Sequence, residues 1–87
     1  MEHALKTRPL YFDAVLKGEK TWEIRRNDRS PPFAVGDILF LREYWPFDFA
    51  GTAGEYTGRT LRRRVTYLVD LREIGLLGFV GMSLERP

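Results

Sequence analysis

Gly18-Glu19-Lys20-Thr21-Trp22-Glu23-Ile24-Arg25-Arg26-Asn27-Asp28-Arg29 is the stretch that decides how this chain is read. It follows a helical pattern and puts nine polar or charged side chains into twelve positions, more than core packing asks for. Trp22 and Ile24 alternate with Thr21, Glu23 and Arg25. That period of two predicts a strand over residues 20–26, the two apolar residues anchoring one face and Glu23 sharing the other with Arg25. The polar segment from Asn27 to Pro32 predicts a loop.

Upstream, His3-Ala4-Leu5-Lys6 reads as a short strand. Thr7 is placed to cap a helix over residues 9–17, with Pro9 in its first turn and Gly18 ending it in a left-handed conformation. Leu10, Phe12, Ala14, Val15 and Leu16 supply the helical apolar spacing. Downstream, Val35-Gly36-Asp37 reads as a turn feeding a strand over 38–44, covered at least partly on both faces. Residues 46–58, with three glycines and a proline, read as an extended hairpin connection or flap. Residues 59–70 form the clearest strand, with Leu61, Val65, Tyr67 and Val69 on one face and Thr60, Arg62, Arg64 and Thr66 on the other. Arg63 falls on the apolar side. An irregular connection over 71–78 leads to a last strand over 79–84. About five strands and one short helix after the first strand predict a mixed α+β, mainly β domain, closed as a small barrel to hide its strand edges.

The chain has 87 residues, which makes one domain with a compact core, burying roughly 60% of its unfolded surface. It has no cysteine and one histidine, so neither disulfides nor a zinc centre is expected, and no cofactor is called for. No apolar run approaches the ~20 residues of a membrane span, and Met1-Glu2-His3 lacks the order of a secretory signal. A cytoplasmic protein without a membrane partner is the expectation. A net charge of +2 is too small to steer nucleic acid as a whole-molecule effect. Eleven of the fourteen basic residues are Arg, whose guanidinium pairs with phosphate and stacks on bases. A GC-rich genome produces the same bias.

A set of residues resembles a known family. His3-x-Leu5-Lys6, the helix with Pro9 and Phe12, Gly18-x-Lys20-Thr21-x-Glu23-Ile24-Arg25-x-Asn27-Asp28-Arg29 and Val35-Gly36-Asp37-Ile38-Leu39-x-Leu41-Arg42-Glu43 look like the ASCH superfamily of PUA-like β-barrels. Within it they are most similar to a small bacterial and phage branch of stand-alone domains. The similarity covers His3 to about Val69. It implies a pseudo-barrel with a cleft between helix and barrel strands, proposed in this superfamily to bind RNA or a nucleotide. Some relatives are enzymes, an acetylcytidine amidohydrolase and a reported ribonuclease among them. In the amidohydrolases the motif carries a Lys matching Lys20 and, three residues on, a catalytic Thr where this chain has Glu23.

Three readings follow: a binding module, a hydrolase, and a regulatory protein whose arginines meet an acidic protein partner. As a binder of RNA or a nucleotide, the chain would line its cleft with Lys6, Lys20, Glu23 and Arg25, extended by Arg26, Asn27, Arg29 and Arg42. As a hydrolase of a modified nucleoside or RNA, it would use Lys20 and Glu23 as an acid/base pair. A plainer alternative pairs Glu23 with Arg25, Arg42 or Arg63 as a structural salt bridge, and Asn27-Asp28 as an Asx-type turn. Tyr44, Trp45, Phe47, Phe49 and Tyr56 either stack bases or cap the core, with capping favoured for Phe47 and Phe49. His3 and Lys6 border the cleft in this reading.

Overall fold

A computed structural model of the chain describes residues 1–47 and 53–86. Five strands and one helix follow in the order β1 (Glu2–Thr7), α1 (Pro9–Leu16), β2 (Trp22–Arg26), β3 (Ile38–Phe47), β4 (Ala53–Asp70) and β5 (Phe79–Leu84). A single turn of 3-10 helix, Leu71–Ile74, occupies part of the connection read as irregular. The fold is a small, mainly β, α+β domain, as its patterning predicts.

The five strands make one sheet in the order β1-β3-β4-β5-β2, with β1 parallel to β3 and every other pair antiparallel. The 18-residue β4 serves two neighbours: its first part pairs with β3 and its last part with β5. The sheet thereby curls, and the two end strands return toward each other. No backbone ladder joins them among the described residues, so the barrel is open rather than fully closed. Its seam is bridged by a side chain: Nη2 of Arg25 on β2 donates to the Lys6 carbonyl on β1 at 3.2 Å.

The core follows from alternation. His3, Leu5 and Thr7 point inward from β1, and Leu39 and Leu41 from β3 are fully buried. Val65, Val80, Met82 and Leu84 meet them from β4 and β5. The helix contributes Val15 to this cluster and buries Phe12, while Leu10 and Leu16 stay exposed. Phe33 enters the core from the long loop, where it packs on the His3 ring at 4.6 Å. Gly18 does end the helix region at φ 78. Thr7 does not cap the helix: Arg8 holds that position, with no side-chain cap. Thr7 is still part of β1, and its hydroxyl turns inward.

Three expectations about strands are corrected. On β2, Trp22 and Ile24 lie half exposed, at 52% and 50%, and Glu23 is buried. The strand is inverted relative to its apolar pattern. On β4, a register shift between Val65 and Tyr67 flips the alternation, so Tyr67 and Val69 face solvent and Leu68 packs on the core instead. The segment read as a flap is mostly ladder: β3 runs on to Phe47, and Tyr44 pairs with Tyr56 and Trp45 with Glu55. Gly54 explains the difference. A Cβ there would collide with the backbone carbonyl oxygens of Trp45 and Pro46, so this glycine serves close strand packing and not a turn. Phe49 lies outside the described residues, as does the side chain of Phe47.

Candidate functional site

Glu23 faces inward because β2 is registered on β5 with Glu23 opposite Met82 and Trp22 opposite Ser83. A carboxylate there is tolerable only if both oxygens are satisfied by charge. They are. Lys20 Nζ donates to Oε1 at 2.8 Å, and Arg25 Nε donates to Oε2 at 3.0 Å. Arg25 then reaches across the seam to the Lys6 carbonyl and, at 3.5 Å, to the Thr7 hydroxyl. The Lys20 ammonium lies 4.8 Å from the centre of the Trp22 ring and 5.7 Å from that of Tyr11.

These groups border a cavity of about 350 Å³ between the start of α1 and strand β2. Lys6, Lys20, Glu23 and Arg25 all line it, joined by Thr7, Arg8, Tyr11 and the outward Trp22 and Ile24. Four basic groups, Lys6, Arg8, Lys20 and Arg25, face the single carboxylate of Glu23, four positive charges against one negative and so a local charge of +3. With the carboxylate already engaged by two cations, the electrostatic surplus is left to a guest. The volume is within the usual range for a small-ligand site, ~300–1,000 Å³.

The remaining sequence candidates lie elsewhere. Arg26 turns to the outer sheet face, its guanidinium 4.8 Å from the Phe79 ring. Asn27 holds the loop: its Oδ1 accepts from the Phe33 amide at 3.0 Å, and its own N–H donates to the Gly78 carbonyl. Arg29 lies over Phe33 at 4.7 Å. Arg42 stacks on Tyr56 at 3.6 Å. Glu23 pairs with neither Arg42 nor Arg63; the latter donates to the Arg62 carbonyl. His3 sits inside the sheet away from the cleft, 2.8 Å from an Asp37 oxygen.

Sequence reading missed Thr7, Arg8 and Tyr11 as cleft residues. The inward alternation His3, Leu5, Thr7 was a usable signal for the first. It also missed Glu43, a buried carboxylate that accepts from the Thr57 hydroxyl at 2.7 Å and faces Arg59 at 3.6 Å. Asp37 proves more than a turn residue. Burial pushes its carboxyl up, but the hydrogen bonds from His3 and the Ala34 amide, with the Met1 ammonium nearby, outweigh burial and hold it below the ordinary carboxylate range. The described residues include no group of three or more His, Asp or Glu that could hold a metal ion, and no helix long and apolar enough to cross a membrane.

Fold and cleft together define a class: a small β-rich domain whose curled sheet holds a basic cleft at its seam. Residues 2–78 match the family described as Domain of unknown function (DUF3850), and the chain belongs to that family. It is similar to the "Uncharacterized 12.9 kDa protein in GpA 3'region" of Escherichia phage P2, 37% identical over 71 residues, which are 82% of this chain and 57% of that protein. The chain thus spans little more than half the length of this curated relative.

Proposed function

We propose that the cleft binds RNA or a nucleotide through its phosphate, and that this domain is a branch of the ASCH superfamily of PUA-like barrels. The helix after the first strand, the curled five-stranded sheet and the cleft beside the Gly-x-Lys-Thr-x-Glu-Ile-Arg motif support the kinship.

One observation carries the functional reading: four cationic side chains and two aromatic rings surround a cavity whose only carboxylate is already doubly paired. Arg and Lys donors suit phosphate oxygens, and Tyr11 and Trp22 suit the flat face of a base. The same double pairing favours binding over hydrolysis. Both of its oxygens already accept hydrogen bonds from this chain's own Lys20 and Arg25, so the group is engaged in holding its two neighbours rather than placed against a substrate proton. In this reading Glu23 holds Lys20 and Arg25 in place.

Calorimetric titration at low salt with nucleoside monophosphates and short RNAs tests it. Wild type binds, and Lys20→Gln or Arg8→Gln weakens binding by about tenfold, equivalent to about 1.4 kcal/mol. Binding unaffected by either change, or absent altogether, refutes the reading. Product formation from acylated cytidines or labelled RNA, abolished by Glu23→Gln, would return the hydrolase reading.

A further inference from the structure

The outward face of β1, β3 and β4 carries a second set of cations and rings, and it begins where the cleft ends. Lys6 belongs to both. It lines the cavity, and its ammonium lies 4.6 Å from the centre of the Tyr44 ring. Tyr44 meets Tyr56 edge-on at 5.0 Å, and the Arg42 guanidinium lies over Tyr56 at 3.6 Å. These four side chains form a continuous chain of contacts in which two adjoining rings are flanked by a cation at each end. The chain of contacts is fixed by register, since Lys6 pairs with Arg42 and Tyr44 with Tyr56 across neighbouring strands.

The next rows of the same face continue the pattern. Ala4, Phe40 and Arg62 stand side by side, as do Glu2, Ile38 and Arg64. Arg62 lies 5.9 Å from the Phe40 ring and pairs with Glu2. A smaller cavity of about 150 Å³ closes this end, lined by Arg62, Arg63, Arg64 and Arg86 with Glu85. The face therefore presents the exposed Tyr56 ring, the half-buried rings of Tyr44 and Phe40 and the cations beside them, between two basic cavities. Helix α1 contributes to the inner core and leaves the face uncovered among the described residues.

We propose that this face receives the nucleotides that follow the one held in the cleft, so that the ligand is a single strand of nucleic acid rather than a free nucleotide. The inference rests on the cleft reading above. Cations set beside aromatic rings suit a single strand, whose phosphates pair with the cations and whose bases stack on ring faces or guanidinium planes with little sequence choice. The open outer surface of a three-stranded ladder suits an unstacked strand better than a duplex, which would present its backbone and not its bases.

The test compares a nucleoside monophosphate with homopolymeric single strands of about two to six nucleotides, titrated against wild type and against Tyr56→Ala/Arg62→Gln. Both substituted side chains are exposed and neither lines the cleft. Wild-type affinity rises by about tenfold or more from monophosphate to the longer strands. The double variant keeps monophosphate affinity and loses most of that gain, and its logarithmic salt slope falls by about 0.7 per phosphate contact removed. If the double variant does not fold, Arg62→Gln alone is read for the same loss in slope. Monophosphate binding with no gain from length, or a gain that the variants keep, overturns this inference and leaves the cleft reading standing. Failure of both monophosphate and strand to bind overturns both. A polyglutamate peptide bound as tightly as the strand also overturns it, because rings set for stacking give such a chain nothing.

Discussion

Glu23 is the residue on which cleft and stability meet. Its carboxylate is almost out of solvent and is held from two sides by Lys20 and Arg25, themselves partly buried. Removing one member of such a group leaves the others charged and unpaired, which costs about 3–5 kcal/mol when the site is dry. Glu23→Gln keeps the shape and loses the charge, so we expect stability to fall by about 3 kcal/mol in urea denaturation. Anion affinity at the cleft is expected to hold or rise in the same variant, since its local charge becomes more positive. Weaker anion binding by a folded Glu23→Gln protein would contradict this account. The wrong orientation assigned to Trp22 and Ile24 has the same origin. Apolar residues usually face inward, but at the seam the inward side of β2 meets a polar cavity, so the charged pair takes it.

Among the elements, the β3–β4 hairpin departs most from its sequence pattern. Three glycines suggest a loose connection, yet Gly54 sits in a ladder where the carbonyls of Trp45 and Pro46 leave no room for a methyl group. The obstructing atoms are backbone and cannot swing away. Gly54→Ala is expected to destabilise the domain by about 1–3 kcal/mol, the usual cost of overpacking, and to alter the emission of the half-exposed Trp45. An unchanged thermal midpoint and spectrum would count against this packing. Gly58, at φ 95 with open space where a side chain would point, is the conformational glycine of the pair. Strand β4 teaches a related lesson: one register shift after Val65 turns a clean alternation inside out for the residues beyond it.

For the whole molecule, acid is the informative stress. Asp37 ties together the His3 ring on β1, the Ala34 amide of the loop and the Met1 ammonium, and its folded carboxyl lies below the ordinary range. A depressed carboxyl stabilises the folded state fully above its unfolded value of about 4, and that contribution disappears as pH falls through the lower folded value. We expect the urea midpoint to drop between about pH 4 and the lower folded value. Asp37→Asn, which loses charge-assisted hydrogen bonds, is expected to be less stable at neutral pH by about 1–3 kcal/mol and to show a flatter acid profile. Parallel profiles for the two proteins would exclude Asp37 as the source. Arg25 acts at the same scale, since it joins β1 to β2 where no backbone pairing does among the described residues.

The sequence by itself determined most of the strands, the helix and the turns, because period, glycine position and proline are local properties of the chain, but not the extension of β3 and β4 into the glycine-rich segment. It also determined that Lys20, Glu23 and Arg25 lie within one short segment. Tertiary structure alone decided which way that segment faces, since orientation depends on what lies beneath: a cavity walled by Thr7, Arg8 and Tyr11 instead of the apolar core. It decided, too, that Arg42 belongs to the outer face and Asn27 to a loop clasp, and that β4 changes sides at its bulge. Those outcomes depend on pairing between residues far apart in the chain, where one step of register exchanges inside for outside.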